Sequence, residues 1–249
     1  MSDLTPERIE QLLRGRLGRP YLHVGACEST QLLLPHDAPE GAVATSDHQT
    51  AGRGRRGRAW IDEPGAALLV SIVLRPAKVA AAAELSLVCA LAVAEAVENA
   101  IGRPAGVKWP NDVIVEERKV AGILLERRND AVVCGIGINV GQDEASLPVD
   151  ARTPPASVRT LTGRGHDRGL VLVVLLAALE RRYDAWSAAG LEPQLQELGR
   201  RDALRGRRVS VGDVAGTAAG IAADGRLRVA GPDGNETLVA SGEVETVSD

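Results

Sequence analysis

Between Thr50 and Trp60 the chain reads TAGRGRRGRAW, with Arg53, Arg55, Arg56 and Arg58 set among Gly52, Gly54 and Gly57. So bare a backbone lets main-chain N–H groups close on an anion and adopt positive φ, while guanidinium forks neutralise charged oxygens two at a time. The same letters satisfy GxGxxG, the spacing that opens the helix of a dinucleotide-binding βαβ unit. No helical pattern follows here, because Trp60 is soon succeeded by Glu63-Pro64-Gly65, which reads as a turn. The segment thus argues against a dinucleotide-binding fold and leaves two readings open, an anion-binding loop or a solvated basic one.

Composition narrows the class of protein. The chain has 249 residues, enough for one large domain or an ordinary domain with a small appendix. An apolar fraction of 45% with 25% charged residues is that of a globular protein and rules out wholesale disorder. Net charge is only −4, so the arginines near residue 55 are a local feature rather than part of a general nucleic-acid coat. Phe is absent and aromatics total 2%, which disfavours base-stacking platforms. Cys27, Cys89 and Cys134 are odd in number and lack CxxC spacing, so they read as reduced thiols of a cytosolic protein rather than disulfides or zinc ligands. The N-terminal MSDLTPERIEQLL is charged and lacks the apolar core of a secretory signal. The longest apolar helix candidate, Val79 to Ala94, is interrupted by Glu84 and Ser86 and is too short to span a bilayer.

Periodicity predicts a short amphipathic helix over residues 5 to 17 and nothing before Tyr21 long enough for a DNA-reading domain. Strands are expected at Ala42 to Thr45, Ala67 to Leu74, Val113 to Val115, Gly122 to Glu126 and Val132 to Val140. Helices are expected at about Val79 to Ile101 and Leu170 to Ala188. Asn129-Asp130 between two strands predicts an antiparallel hairpin, which favours an α+β fold with an antiparallel sheet. From Gly206 onward RRVSV, TAAGIA, RLRVA, ETLVA and EVETV, broken by glycine turns, predict five short strands in a small barrel, with a boundary near Asp202 to Arg205.

The only lysines are Lys78, Lys108 and Lys119 in a chain otherwise basic through arginine. Lys108, in KWPND, is either a surface lysine beside a packed Trp109 or a point charge reaching a carboxylate or phosphate oxygen. Lys119, after Glu116, Glu117 and Arg118, reads as a solvated strand-edge residue. Asn111-Asp112 suits an Asx turn. Gly135 and Gly137 in GIGIN mark either a bulge or the close approach of a ligand or another backbone.

Taken as a set, TAGRGRRGRAW, KWPNDV, KVAGILLE and GIGINV, with Glu28-Ser29-Thr30 and Asp47-His48-Gln49 upstream, resemble the biotin protein ligases. The likeness runs from about Tyr21 to Val247, with one departure, Gln31 where that family usually has Asn. It implies an α+β fold with a mixed, mainly antiparallel sheet and flanking helices, akin to class II synthetases and lipoate ligases, over residues 1–203. An SH3-like β-barrel over 204–249 completes it. It implies activation of biotin by ATP, with Mg²⁺, to biotinyl-5′-AMP, then transfer to a lysine of a biotin carboxyl carrier protein of acetyl-CoA carboxylase. The enzyme would be cytoplasmic, a monomer or homodimer, without DNA or membrane partners and without a dedicated metal site. On the same resemblance Lys108 and Arg53 are catalytic, and Lys108 bridges the biotin carboxylate and α-phosphate. Ser29, Thr30, Gln31, Gln49, Arg53, Gly54, Arg55 and Lys108 bind biotin, while Arg55, Arg58, Trp60, Asn111 and Asn139 bind ATP. The rivals are a lipoate or octanoate ligase on the same core, from which Gln49 points away, and an Arg-Gly RNA-binding module. The RNA reading leaves KWPNDV and GIGINV unexplained.

Overall fold

Ala67–Leu74, ALLVSIVL, has no polar face to turn toward water, and in the structure, a computed structural model, all eight residues are buried at the centre of a sheet. Residues 2–77, 82–149 and 151–246 are described. The first half of the chain forms α1 (Pro6–Leu12), β1 (Tyr21–Val24), a 3-10 turn (Thr30–Leu33), β2 (Val43–Ser46), β3 (Ala67–Leu74) and α2 (Ala82–Ile101). There follow β4 (Gly106–Lys108), β5 (Asp112–Val115), β6 (Arg118–Arg128), β7 (Ala131–Asn139), α3 (Val158–Thr162), α4 (Arg168–Ala189) and α5 (Leu195–Arg201). These seven strands lie in the order β1-β2-β3-β7-β6-β5-β4, antiparallel except for β1 beside β2, which is the mixed sheet expected.

The pleat sorts side chains to two faces. Leu68, Val70, Ile72 and Leu74 of β3 share one core with Cys134, Ile136 and Ile138 of β7, with α2 from Leu87 to Val97, and with Leu172, Leu175 and Leu179 of α4. Burying each such leucine contributes about 1.5–3 kcal/mol, so this face fixes the register. The opposite face carries a smaller cluster that includes Leu34, Ala44, Val73 and Val133. That face is left open for chemistry.

Several expectations shift. The first helix stops at Leu12 because Glu180 Oε2, on α4, accepts the backbone N–H groups of Arg16 (2.7 Å) and Leu17 (2.9 Å), drawing that segment out of helical hydrogen bonding. The second expected helix is α2; Lys78 and its first expected residues, Val79 to Ala81, lie outside the described residues. Helix α4 starts two residues early, capped by Asp167, whose carboxylate accepts from Leu170 N at 3.0 Å. The hairpin forms as predicted, with Arg128 opposite Ala131 and Asn129 at φ 55°. Strand β1 and helices α3 and α5 were not expected; they are short pieces whose patterns are too brief to read.

Beyond α5, β8 (Arg208–Val211), β9 (Val214–Ile221), β10 (Leu227–Ala230), β11 (Glu236–Val239) and β12 (Glu245–Thr246) form an antiparallel sheet in the order β11-β10-β9-β8-β12. All five expected strands are present. Trp109, 2% exposed, donates from Nε1 to Gly225 O at 2.9 Å and so pins the KWPND turn to this second sheet.

Candidate active site

The open face of the large sheet holds a cavity floored by glycine. Gly122 on β6 is directly opposite Gly137 on β7, and the Trp60 indole lies on both. A Cβ on Gly137 would stand 2.5 Å from indole Cε2, and one on Gly122 would be 3.2 Å from Cζ3. Two residues back along β7, on the same face, a Cβ on Gly135 would be 3.0 Å from Gln31 Nε2. The glycines of GIGIN thus mark close approach, but of side chains from elsewhere in the chain rather than of another backbone. The cavity has about 60 Å³ of free space, room for a few waters, so a larger ligand enters only when lining side chains move.

Neutral polar groups form one part of the lining. Gln49 Oε1 accepts from Thr30 N (2.8 Å) and Thr30 Oγ1 (3.1 Å), and that hydroxyl in turn meets Ser71 Oγ at 2.8 Å. A main-chain N–H can only donate, so the oxygen of the Gln49 amide is fixed toward Thr30 and its NH₂ is left as a donor. Gln31, 3% exposed, donates from Nε2 to Leu124 O at 3.3 Å. The longer amide reaches β6. Arg128 holds this 3-10 turn in place by donating to Gln31 O (2.8 Å) and Leu34 O (2.9 Å).

Cations form the rest. The glycine–arginine segment is a small closed hairpin: Arg53 bridges Ala59, Trp60 N donates to Gly52 O at 2.9 Å, and Arg56 (φ 57°) and Gly57 (φ 75°) make the turn. Arg53 Nη1 lies 3.4 Å from Glu126 Oε1, and Arg55 Nη1 donates to Asn111 Oδ1 at 3.0 Å. Asn111 is itself fixed, donating from Nδ2 to Ile123 O at 2.9 Å. Burial holds the Arg55 pKa below its ordinary value. Arg55 thus turns inward to Asn111, while Arg53, Arg56 and Arg58 remain exposed, Arg53 and Arg58 beside carboxylates.

Ser29, Thr30, Gln31, Gln49, Arg53, Gly54, Arg55, Trp60 and Asn111 therefore line one cavity. Lys108, Arg58 and Asn139 do not. Lys108 is half-buried and donates from Nζ to Thr153 Oγ1 at 2.8 Å; burial, and then Lys119, lower its pKa while Asp112 opposes them. Arg58 pairs with Glu243, just before β12. Asn139, 6% exposed, donates to Ala156 O at 3.0 Å and accepts from Gln142 Nε2 at 3.1 Å. The lysine in the cavity is Lys119, whose Nζ is 2.7 Å from Asp112 Oδ1. The solvated role expected for Lys119 is corrected by a β-bulge. The β5–β6 register shifts between Val113 and Ile114, Val120 and Ala121 both enter the helix-side core, and Lys119 falls on the face of Gly122. Strict alternation would have put it on the other face.

The model of the biotin/lipoate A/B protein ligase family matches residues 26–143. A biotin–[acetyl-CoA-carboxylase] ligase of Mycobacterium tuberculosis is 38% identical over 216 residues, which cover 82% of this chain and 79% of that protein. The bifunctional ligase/repressor BirA of Bacillus spizizenii is 33% identical over 187 residues, 71% of this chain; the match spans 58% of that relative's length. The biotin protein ligase of Aquifex aeolicus, solved in complex with biotin and ATP, superposes with a TM-score of 0.83 at 29% identity, covering 92% of this chain and 100% of that one. The chain belongs to the biotin/lipoate A/B protein ligase family.

Proposed function

We propose that the protein joins biotin to ATP, forming biotinyl-5′-AMP and pyrophosphate, and then passes the biotinyl group to a lysine of a biotin carboxyl carrier protein. The observation that carries this reading is the shared cavity, in which the neutral donors of Gln49 and Gln31 and the cations Arg53, Arg55 and Lys119 line one space. A urea ring is neutral and suits the first set. The reacting groups are both anions and suit the second. In the first step a carboxylate oxygen attacks the α-phosphorus, the bond to the β-phosphate oxygen breaks, and pyrophosphate leaves. In the second the lysine amine attacks the acyl carbon, AMP leaves, and the amine loses a proton.

Positive charge held ready where two anions meet lowers the barrier without covalent chemistry. Lys119, in the cavity, is better placed for this than Lys108, so the bridging role passes to it, with Arg53 and Arg55 flanking. Mg²⁺ enters as MgATP, offsetting phosphate charge with few protein ligands. Among the described residues no group of three or more His, Cys, Asp or Glu is placed to hold a metal. No described helix is long and apolar enough to cross a membrane, which fits a cytoplasmic enzyme acting on a soluble carrier. We assign the chemistry to the unit built on the large sheet, with the second sheet as an appended unit that meets the glycine–arginine hairpin at the Arg58–Glu243 pair. The name of the Mycobacterium relative makes the carrier subunit of acetyl-CoA carboxylase the first acceptor to try. Labelling of that carrier, detected with streptavidin, should require both ATP and biotin; labelling without ATP, or none with both present, would overturn the reading.

A further inference from the structure

Asp62 has no role in the site as described so far, yet its side chain is completely buried. Burying a carboxylate is costly unless it is paired and hydrogen-bonded. Its two partners are consecutive residues: Oδ2 is 2.9 Å from His48 Nδ1, and Oδ1 accepts from Gln49 N at 3.3 Å. Gln49 is thus held from two directions, its backbone by Asp62 and its side-chain oxygen by Thr30. Asp62 also stands two residues beyond Trp60, where the glycine–arginine hairpin leaves the cavity, and Gly65 N donates to Asp47 O at 2.8 Å just after it. One carboxylate joins the far end of the hairpin to the residue that presents a neutral donor to the cavity.

We propose that Asp62, oriented by His48, is a positioning residue that fixes the Gln49 amide for the neutral ring of the acid substrate and anchors the hairpin carrying Arg53 and Arg55. It touches no reacting atom. Its effect is on binding of the acid, transmitted through Gln49, and the identity of that acid rests on the function proposed above. His48, itself partly exposed, supplies the partner that lets Asp62 remain buried, its Nδ1 facing the carboxylate.

The test compares Asp62→Ala, Asp62→Asn, His48→Ala and His48→Gln with wild type in biotin-dependent ATP–pyrophosphate exchange, fitting KM for biotin, KM for ATP and kcat separately. Asp62→Ala and His48→Ala should each raise KM for biotin about tenfold or more, a larger change than in KM for ATP. The double alanine variant should be no worse than the worse single one, because the two residues act as a unit. Asp62→Asn and His48→Gln, which keep an acceptor and a donor, should recover part of the loss. A fall in melting temperature with KM for biotin unchanged in the alanine variants would make the pair merely structural and overturn the proposal. Trypsin cleavage at Arg53 to Arg58 in the ligand-free protein reads the anchoring directly. Asp62→Ala, or His48→Ala if the former does not fold, should speed cleavage severalfold, and an unchanged rate contradicts the proposal. Wild type that shows no exchange with biotin would count against the acid substrate, while the trypsin comparison would still decide on Asp62.

Discussion

Lys108 and Lys119 feel the same carboxylate, Asp112, but only Lys119 lines the cavity. Charge aimed at a developing transition state is worth most where water is excluded. Lys119→Ala should therefore lower biotin-dependent exchange about a hundredfold or more, and Lys108→Ala less than about tenfold. Lys119→Arg should not restore the rate, since a planar fork is no substitute for a point charge. The opposite order of the two alanine variants would return the bridging role to Lys108. At this scale the sequence was informative where chemistry is local: glycine and arginine in alternation, Gln49, and the Ser29-Thr30-Gln31 turn all reached the cavity. It was uninformative for Lys119, because a bulge is set by the pairing of two strands and leaves no mark in the residue types. Nor does any local pattern couple Arg58 to Glu243, 185 residues away.

Within the elements, the pairing of β6 with β7 explains why both strands carry glycine. Gly122 and Gly137 face each other across the ladder and together make a bed for one indole. Gly137 is not at positive φ, so alanine there meets no backbone strain; its cost comes from the methyl striking the indole at 2.5 Å. Overpacking of that kind costs about 1–3 kcal/mol, or moves the ring instead. Gly137→Ala should thus displace Trp60, shift the tryptophan emission and reduce exchange about tenfold or more. A variant with native emission and full rate would mean that the indole is not held as described. The central strands were legible to within a few residues because β3 and β7 are mostly apolar and β-branched. Helix α1 was overextended because Glu180, on a distant helix, takes the N–H groups that would have prolonged it.

Across the whole molecule, arginine–carboxylate networks tie the helical layer together. Glu197 on α5 accepts from Arg182 at 2.8 and 2.9 Å and from Arg201 at 2.9 Å. The Arg182 hydrogen bonds, then Arg201, bring its pKa from an ordinary 4.5 to about 2. A carboxylate whose pKa is lower when folded stabilises the fold above its unfolded pKa and loses that contribution as pH falls through its folded one. Glu197→Gln should accordingly melt below wild type at neutral pH, with the gap closing between about pH 4.5 and pH 2. A gap independent of pH would assign the difference to packing. None of this network was foreseen, since ion pairs between α4 and α5 depend on a helix, α5, whose seven residues carry too little pattern to predict.

The central claim is that a carboxylate and ATP react in the cavity that Arg53, Arg55 and Lys119 line. Exchange of labelled pyrophosphate into ATP tests it directly, with biotin, lipoate, octanoate or no acid added to the purified chain. The account predicts rapid exchange with biotin, little with the other acids, and loss of the biotin signal in Lys119→Ala. Exchange that is equal without acid, or that lipoate or octanoate supports as well as biotin does, would contradict it.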